Sequence, residues 1–175
     1  TFNGNNATSG TTSTQAITSD VATRLTSNAF AKTGYTFAGW ATSSDGTVAY
    51  ANQAEVTITG NLALYAKWSP NSNTVTFNGN NATSGTTSTQ AITTDVATRL
   101  TTNAFAKTGY SFDGWDTAAD GSGTNYSNIQ EVTLQAGLTL FAQWSPNSNT
   151  VTFSGNGSTS GTTSTQAITT DVATR

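Results

Sequence analysis

Apolar and small polar side chains alternate along this chain in short runs, and the runs recur. Thr74-Val75-Thr76-Phe77 and Gln90-Ala91-Ile92-Thr93 have a period of two, which predicts half-buried strands. Asn78-Gly79 follows the first run and predicts a turn with a residue at positive φ. The stretch from Asn80 to Ser88 is small and polar, with Gly85 inside it. It predicts a loop, because it offers nothing to bury against the entropy of ordering it. Tyr110-Ser111-Phe112 and its copy Tyr35-Thr36-Phe37 resume the alternation. Gly114 and Gly39 then stand between Phe and Trp, which predicts a bulge that turns Trp115 and Trp40 to the other face. Leu138, Leu140, Ala142 and Trp144 share one face of a later strand, as do Leu62, Leu64, Ala66 and Trp68. Val132-Thr133-Leu134, joined to that strand through Ala136-Gly137, predicts a β-hairpin, with Val56-Thr57-Ile58 and Gly60-Asn61 as the counterpart. Asp45-Gly46 and Asp120-Gly121 mark turns. The path over 94–105 stays open. Val96 and Leu100, four apart behind Thr94 or Asp95, fit a short capped helix, while the threonine content fits strand or loop.

The pattern is therefore mainly β, α+β at most, and it is tandem. Phe2 matches Phe77 and Phe77 matches Phe153; the offset is 75 early in the repeat and 76 later, because 121–124 carries one residue more than 46–48. Thr1 to Gly39 and Thr76 to Gly114 differ only at Ser19/Thr94, Ser27/Thr102, Thr36/Ser111 and Ala38/Asp113. The only two prolines, Pro70 and Pro146, open matching Asn-Ser-Asn stretches that read as short, stiff linkers. They divide the chain into a first module at 1–70, a second at 71–146 and the opening of a third at 147–175. The expected core anchors are Tyr35, Phe37, Trp40 and Trp68 in the first module and Tyr110, Phe112, Trp115 and Trp144 in the second. The third piece offers Val151, Phe153, Ile168 and Val172 but no Gly-Tyr-Phe-Gly-Trp block, so it is too short for a core of its own. It is expected to dock on the second module or to add as a strand to another molecule, a head-to-tail self-association.

Composition narrows the function. Charged residues are 9% of the chain and the net charge is −3, so there is no basic patch for nucleic acid and no polybasic membrane tether. No apolar run approaches the ~20 residues of a membrane span. Cys, His and Met are absent, which removes disulfides, thiol and imidazole catalysis, and soft-metal sites. The chain opens mid-repeat and reads as a piece of a longer protein, so a missing signal peptide carries no weight.

The remaining candidate chemistry is sparse. Asp113, Asp116 and Asp120 cluster around Trp115 and suggest calcium ligands, yet the first module has Ala38, Ala41 and Asp45 there, and no EF-hand spacing is present, so solvated turn carboxylates are the reading to expect. Glu55 and Glu131 are the only glutamates, one per module, without a histidine partner for acid–base work. Lys32 and Lys107 match as candidates for an isopeptide cross-link, whereas Lys67 is replaced by Gln143. Tyr50 and Tyr126, with Asn125, lie in the variable loops and are the expected exposed pair and ligand contacts. Neither a metal nor a cofactor is expected.

The opening Thr-Val-Thr-Phe-Asn-Gly strand, Gly-Tyr-Thr-Phe-Ala-Gly-Trp, the Asp-Gly turn and Leu-Ala-Leu-Tyr-Ala-Lys-Trp together resemble the Listeria–Bacteroides repeat family, which includes the B repeats of internalins. The resemblance implies small β-grasp-like modules in an extended array on secreted or wall-attached bacterial proteins, and no catalytic residues. Where many family members carry prolines before Gly-Tyr, this chain has 101–107 without one. The function to expect is a non-enzymatic spacer, the stalk of an adhesin-like protein, on the bacterial cell surface, with neighbouring repeats as partners and self-association into fibres. The alternative is a module that binds a host protein or glycan through its variable loops.

Overall fold

The computed structural model describes residues 1–171, and no helix is present among them. The first repeat contains β1 (Phe2–Asn3), β2 (Thr23–Arg24), β3 (Tyr35–Ala41), β4 (Glu55–Val56) and β5 (Leu64–Pro70). The second contains β6 (Ser72–Asn78), β7 (Gln90–Thr93), β8 (Thr98–Arg99), β9 (Tyr110–Asp116), β10 (Asn125–Tyr126), β11 (Glu131–Val132) and β12 (Leu138–Pro146). β13 (Ser148–Val151) and β14 (Gln166–Thr169) follow. The fold is mainly β and built of repeated small sheets, as the alternation predicts. The open segment 94–105 resolves as a turn at Thr94-Asp95, the short strand β8 and irregular chain. Asp95 has φ 57°, which no helix accommodates.

The chain divides into two compact units, and they do not coincide with the sequence repeats. Unit 1 is Thr1–Asn73 together with Ile92–Val96 and Thr133–Ala136; unit 2 is Thr74–Ala91, Ala97–Val132 and Gly137–Arg175. In unit 1, β5 is central, with β1 parallel on one side and β3 antiparallel on the other, and β2 pairs with β4 in a separate ribbon. The sheet of the second repeat has the order β10-β9-β12-β6-β7, in which β12 runs parallel to β6 and antiparallel to β9. β8 pairs with β11 and β13 with β14.

Three local expectations are corrected. Val132 and Leu138 do not belong to one hairpin. β12 spends its hydrogen bonds on β6 and β9, so β11 pairs with β8 instead, and in the first repeat β4 pairs with β2. Gly60 and Gly137 accordingly are not among the residues with positive φ. The turn after β6 also lies further on than Asn78-Gly79. Asn80 and Asn81 take the left-handed conformation, and Asn78 acts through its side chain, whose Oδ1 accepts from the Asn80 N–H at 2.8 Å. The expected linker contracts to Asn71, the single residue between β5 and β6.

Trp40 and Trp115 are wholly buried. In unit 1, Leu25, Val56, Leu64 and Ala66 complete the buried cluster, and Phe2, Phe30, Phe37 and Trp68 pack against it half-buried. Ring centroids lie 4.9 Å apart for Phe2–Trp40 and Phe37–Trp40 and 6.3 Å for Phe30–Trp40. The second repeat reproduces this around Trp115 with Phe77 at 4.8 Å, Phe112 at 5.0 Å and Phe105 at 6.2 Å. These are tilted and edge-on pairs, the geometry the ring quadrupoles favour. The bulge stands where the glycine predicts it. The register steps over Ala38 and Asp113, and Gly39 and Gly114 have φ of 143° and 142°. A Cβ on Gly114 would stand 2.9 Å from the Tyr126 carbonyl oxygen. The glycine thus lets β10 close on β9 while Trp115 turns inward.

Candidate interaction site

The elements with the most specific polar geometry meet where unit 1 takes in residues 92–96 and 133–136. The Tyr35 N–H donates to the Lys32 carbonyl at 3.0 Å, closing a turn in which Gly34 has φ 75°. This turn sets the Tyr35 ring beneath the Lys32 ammonium, 4.1 Å from Nζ to ring centre. The Tyr35 hydroxyl donates to Asp95 Oδ2 at 3.0 Å, and Gln135 Nε2 donates to Asp95 Oδ1 at 3.2 Å. Asp95 is held in place by its own N–H, which donates to the Leu134 carbonyl at 3.1 Å.

Asn71 ties the backbone together. Its N–H donates to the Gly34 carbonyl at 2.9 Å, its carbonyl accepts from the Thr94 N–H at 3.0 Å, and its Oδ1 accepts from Thr36 Oγ1 at 2.7 Å. A Cβ on Gly34 would lie 2.7 Å from Thr94 Cγ2, so the close approach also needs glycine for space.

Unit 2 contains the same arrangement one repeat on. Asn147 N–H donates to the Gly109 carbonyl at 2.8 Å, and the Thr170 N–H donates to the Asn147 carbonyl at 3.0 Å. Ser111 Oγ donates to Asn147 Oδ1 at 2.7 Å, Lys107 Nζ lies 4.1 Å from the Tyr110 ring centre, and the Tyr110 hydroxyl donates to Asp171. The described part of the third repeat is thus held by β13–β14 pairing and by this bond, although Val151 and Phe153 stay exposed; Val172 lies outside the described residues.

Each tyrosine is raised above its ordinary pKa, first by the hydrogen bond to the aspartate, then by desolvation and by the aspartate charge. A phenol that donates to a carboxylate keeps its proton longer. Chemically this is a non-covalent latch of charge-assisted hydrogen bonds, with no nucleophile activated by it.

Tyr35 and Tyr110 are half-buried, and Tyr35 lies outside the core cluster of unit 1. Their place as core anchors is corrected, since the ring belongs to the latch. Tyr50 and Tyr126 are not the exposed pair either. Both are half-buried, because the variable loop returns to pair with the tryptophan strand: Trp40 N–H donates to the Tyr50 carbonyl at 2.8 Å, and Tyr126 pairs with Trp115. Asn125 is exposed. Phe30 and Phe105 are ring partners missed by the aromatic strand motifs, though Ala29-Phe30-Ala31 and Ala104-Phe105-Ala106 carried a signal in the lone large residue between alanines.

The other candidates separate. Asp116 is buried, with Oδ1 accepting from Ala118 N–H at 2.7 Å and Gly123 N–H at 3.0 Å; Asp113 accepts from Ser145 Oγ; Asp120 accepts from Ser122, which lowers its pKa. No group of three or more carboxylates placed to hold a metal ion exists among the described residues. Glu131 faces Arg99 across its ribbon at 4.0 Å, and Glu55 is opposite Arg24. Lys32 and Lys107 lie over tyrosine rings. Lys67 Nζ reaches the Ser44 carbonyl at 3.5 Å.

Compared with known proteins, residues 1–67 and 74–143 match the model of the Listeria-Bacteroides repeat domain. Two proteins of Evansella cellulosilytica, whose names describe them as membrane proteins, are similar in sequence. One, described as Gly-rich, is 36% identical over 72% of this chain, and the other is 34% identical over 66%. The chain spans only 16% and 18% of the length of these relatives. No solved structure matches.

Proposed function

From its membership of the Listeria-Bacteroides repeat domain family, to which this chain belongs, we propose that the chain is a spacer segment, the stalk of an adhesin-like bacterial surface protein. The family is one of bacterial surface proteins. The observation that carries the reading is that unit 1 is completed by Ile92–Val96 and Thr133–Ala136, with the Tyr35–Asp95 bond at the join. A repeat that needs part of the next one gains stability from its neighbour, which is the energetic scheme of arrays that obtain length by repetition. The site offers hydrogen bonds and packing but no activated group, consistent with a mechanical role and with an extracellular location. Small-angle scattering on chains with one, two and three further repeats tests this. The maximum dimension should rise by a constant increment per repeat. A dimension that grows only as a compact globule of rising mass would overturn the reading.

A further inference from the structure

The pair Asn78-Gly79, with its copy Asn3-Gly4, carries a reactivity that the spacer reading does not use. An asparagine side chain followed by glycine is open to attack by the next backbone nitrogen, because glycine has no Cβ to obstruct ring closure. In the second repeat the pair ends β6, and Asn78 is exposed. Its backbone pairs with Phe141 of β12. The Gly79 carbonyl accepts from Trp144 Nε1 at 3.0 Å and from the Ala82 N–H at 3.0 Å. A Cβ on Gly79 would stand 2.7 Å from Phe105 Cδ1, so the glycine lies against that ring.

Asn78 Oδ1 accepts from the Asn80 N–H, and Asn80 is itself fixed: its Nδ2 donates to the Ala119 carbonyl at 2.7 Å and to the Ala142 carbonyl at 2.9 Å. A donor on Oδ1 favours addition to that side-chain carbonyl. The ring closes only when the Gly79 nitrogen swings onto Asn78 Cγ, however, and that swing turns a peptide held by β12, Trp144 and Phe105. The first repeat reproduces these contacts. Asn3 Oδ1 accepts from the Asn5 N–H at 2.8 Å, Asn5 Nδ2 donates to the Ser44 and Ala66 carbonyls, and Gly4 meets Trp68 Nε1 and the Phe30 ring.

We propose that Asn78-Gly79 and Asn3-Gly4 are self-modifying sites that the native contacts hold shut, so that each keeps a covalent record of an opening of its module. When the second module opens, the Gly79 nitrogen bonds to Asn78 Cγ and loses its proton, the Cγ–Nδ2 bond breaks, and ammonia leaves. Water then opens the succinimide ring on either side, to aspartate or to isoaspartate. Aspartate restores an acceptor for the Asn80 N–H on a normal backbone. Isoaspartate lengthens the main chain by a methylene carbon, which moves the Gly79 carbonyl off Trp144 Nε1 and bars reclosure. The step consumes water alone and needs no enzyme, and the inference is independent of the spacer reading.

The test incubates this chain folded, and unfolded in urea, in the same mildly alkaline buffer, with peptide mapping that separates asparagine, aspartate and isoaspartate at positions 3 and 78. Conversion at Asn78 should be at least about 10-fold slower in the folded chain, since reaction there waits on local opening. Trp144→Phe keeps a ring and deletes the donor to Gly79; it should speed conversion at Asn78 in the folded chain and leave Asn3 unchanged. Asn80→Gly keeps the left-handed backbone and deletes both side-chain bonds, and it should do the same. Equal rates in the folded and unfolded chain would overturn the proposal, and so would silence of both variants. After transfer out of urea, chains with isoaspartate at position 78 should fail to regain amide protection across β6 and β12, whereas Asn78→Asp should melt like the parent. Isoaspartate-bearing chains that refold fully would overturn the record.

Discussion

The Tyr35 hydroxyl donates to the Asp95 carboxylate at 3.0 Å across 60 positions of sequence, and Tyr110 does the same to Asp171 across 61. One repeat supplies the phenol and the next supplies the acid. The tyrosine pKa is raised, so the folded state holds this proton more tightly than the unfolded chain does. The stabilisation is complete below the ordinary tyrosine value of ~10 and is lost as pH climbs from there through the folded value. Melting temperature measured from pH 7 to 12 should fall more steeply above ~10 in the parent than in a Tyr35→Phe, Tyr110→Phe double variant. Parallel curves would refute it.

The tryptophan at the centre of the aromatic cluster is the anchor of its module. Trp115→Ala removes a wholly buried ring with three phenylalanine neighbours and should destabilise unit 2 by ~3–5 kcal/mol. Tyr126→Ala, half-buried at the edge strand, should cause a clearly smaller loss. Urea unfolding followed by tryptophan fluorescence separates the two, and equal losses would show that the core lies elsewhere.

Glycine is required at Gly85 and is dispensable at Gly60. Gly85 has φ 82°, and a Cβ there would stand 1.9 Å from the Ala104 carbonyl oxygen, while nothing lies within 4 Å at Gly60. Gly85→Ala should cost about 2 kcal/mol or more, through left-handed strain and collision with backbone that cannot yield. Gly60→Ala should stay within about 0.5 kcal/mol. Thermal melts of both variants decide this.

Thr87 is a buried hydroxyl with a structural task. Its Oγ1 accepts from the Ala104 N–H at 2.9 Å, and Thr12 does the same for Ala29. Thr87→Val keeps the shape and leaves that N–H without its acceptor, a loss of ~1–3 kcal/mol. Thr87→Ser should retain most of the bond. Denaturation in which Val and Ser behaved alike would mean that the hydrogen bond contributes nothing.

Local patterns set the strands, the bulge and the repeat. Val75 and Phe77 alternate with threonine and are buried on one side of β6, because side chains of a strand project to alternate faces. The glycine between Phe112 and Trp115 announces the bulge, because only a residue without Cβ combines that φ with so close a carbonyl. Partner choice was invisible along the chain. Val132 and Leu138 looked like two arms of one hairpin, yet β12 pairs with the distant β6 and β9, and hydrogen-bond edges are allotted by the whole sheet. Tyr35 looked like core for the same reason that Phe37 did, since both have the alternating phase. Which of them faces a packed interior and which faces Asp95 depends on where 92–96 comes to rest in unit 1. The sequence by itself determined the long strands that carry the tryptophan motifs and that the unit is repeated, since propensity and alternation act between near neighbours; it did not decide every strand, for Gln15-Ala16-Ile17-Thr18 and Gln90-Ala91-Ile92-Thr93 are identical and only the second is a strand. Only the tertiary structure decided where one compact unit stops, since that depends on contacts between residues far apart in the chain.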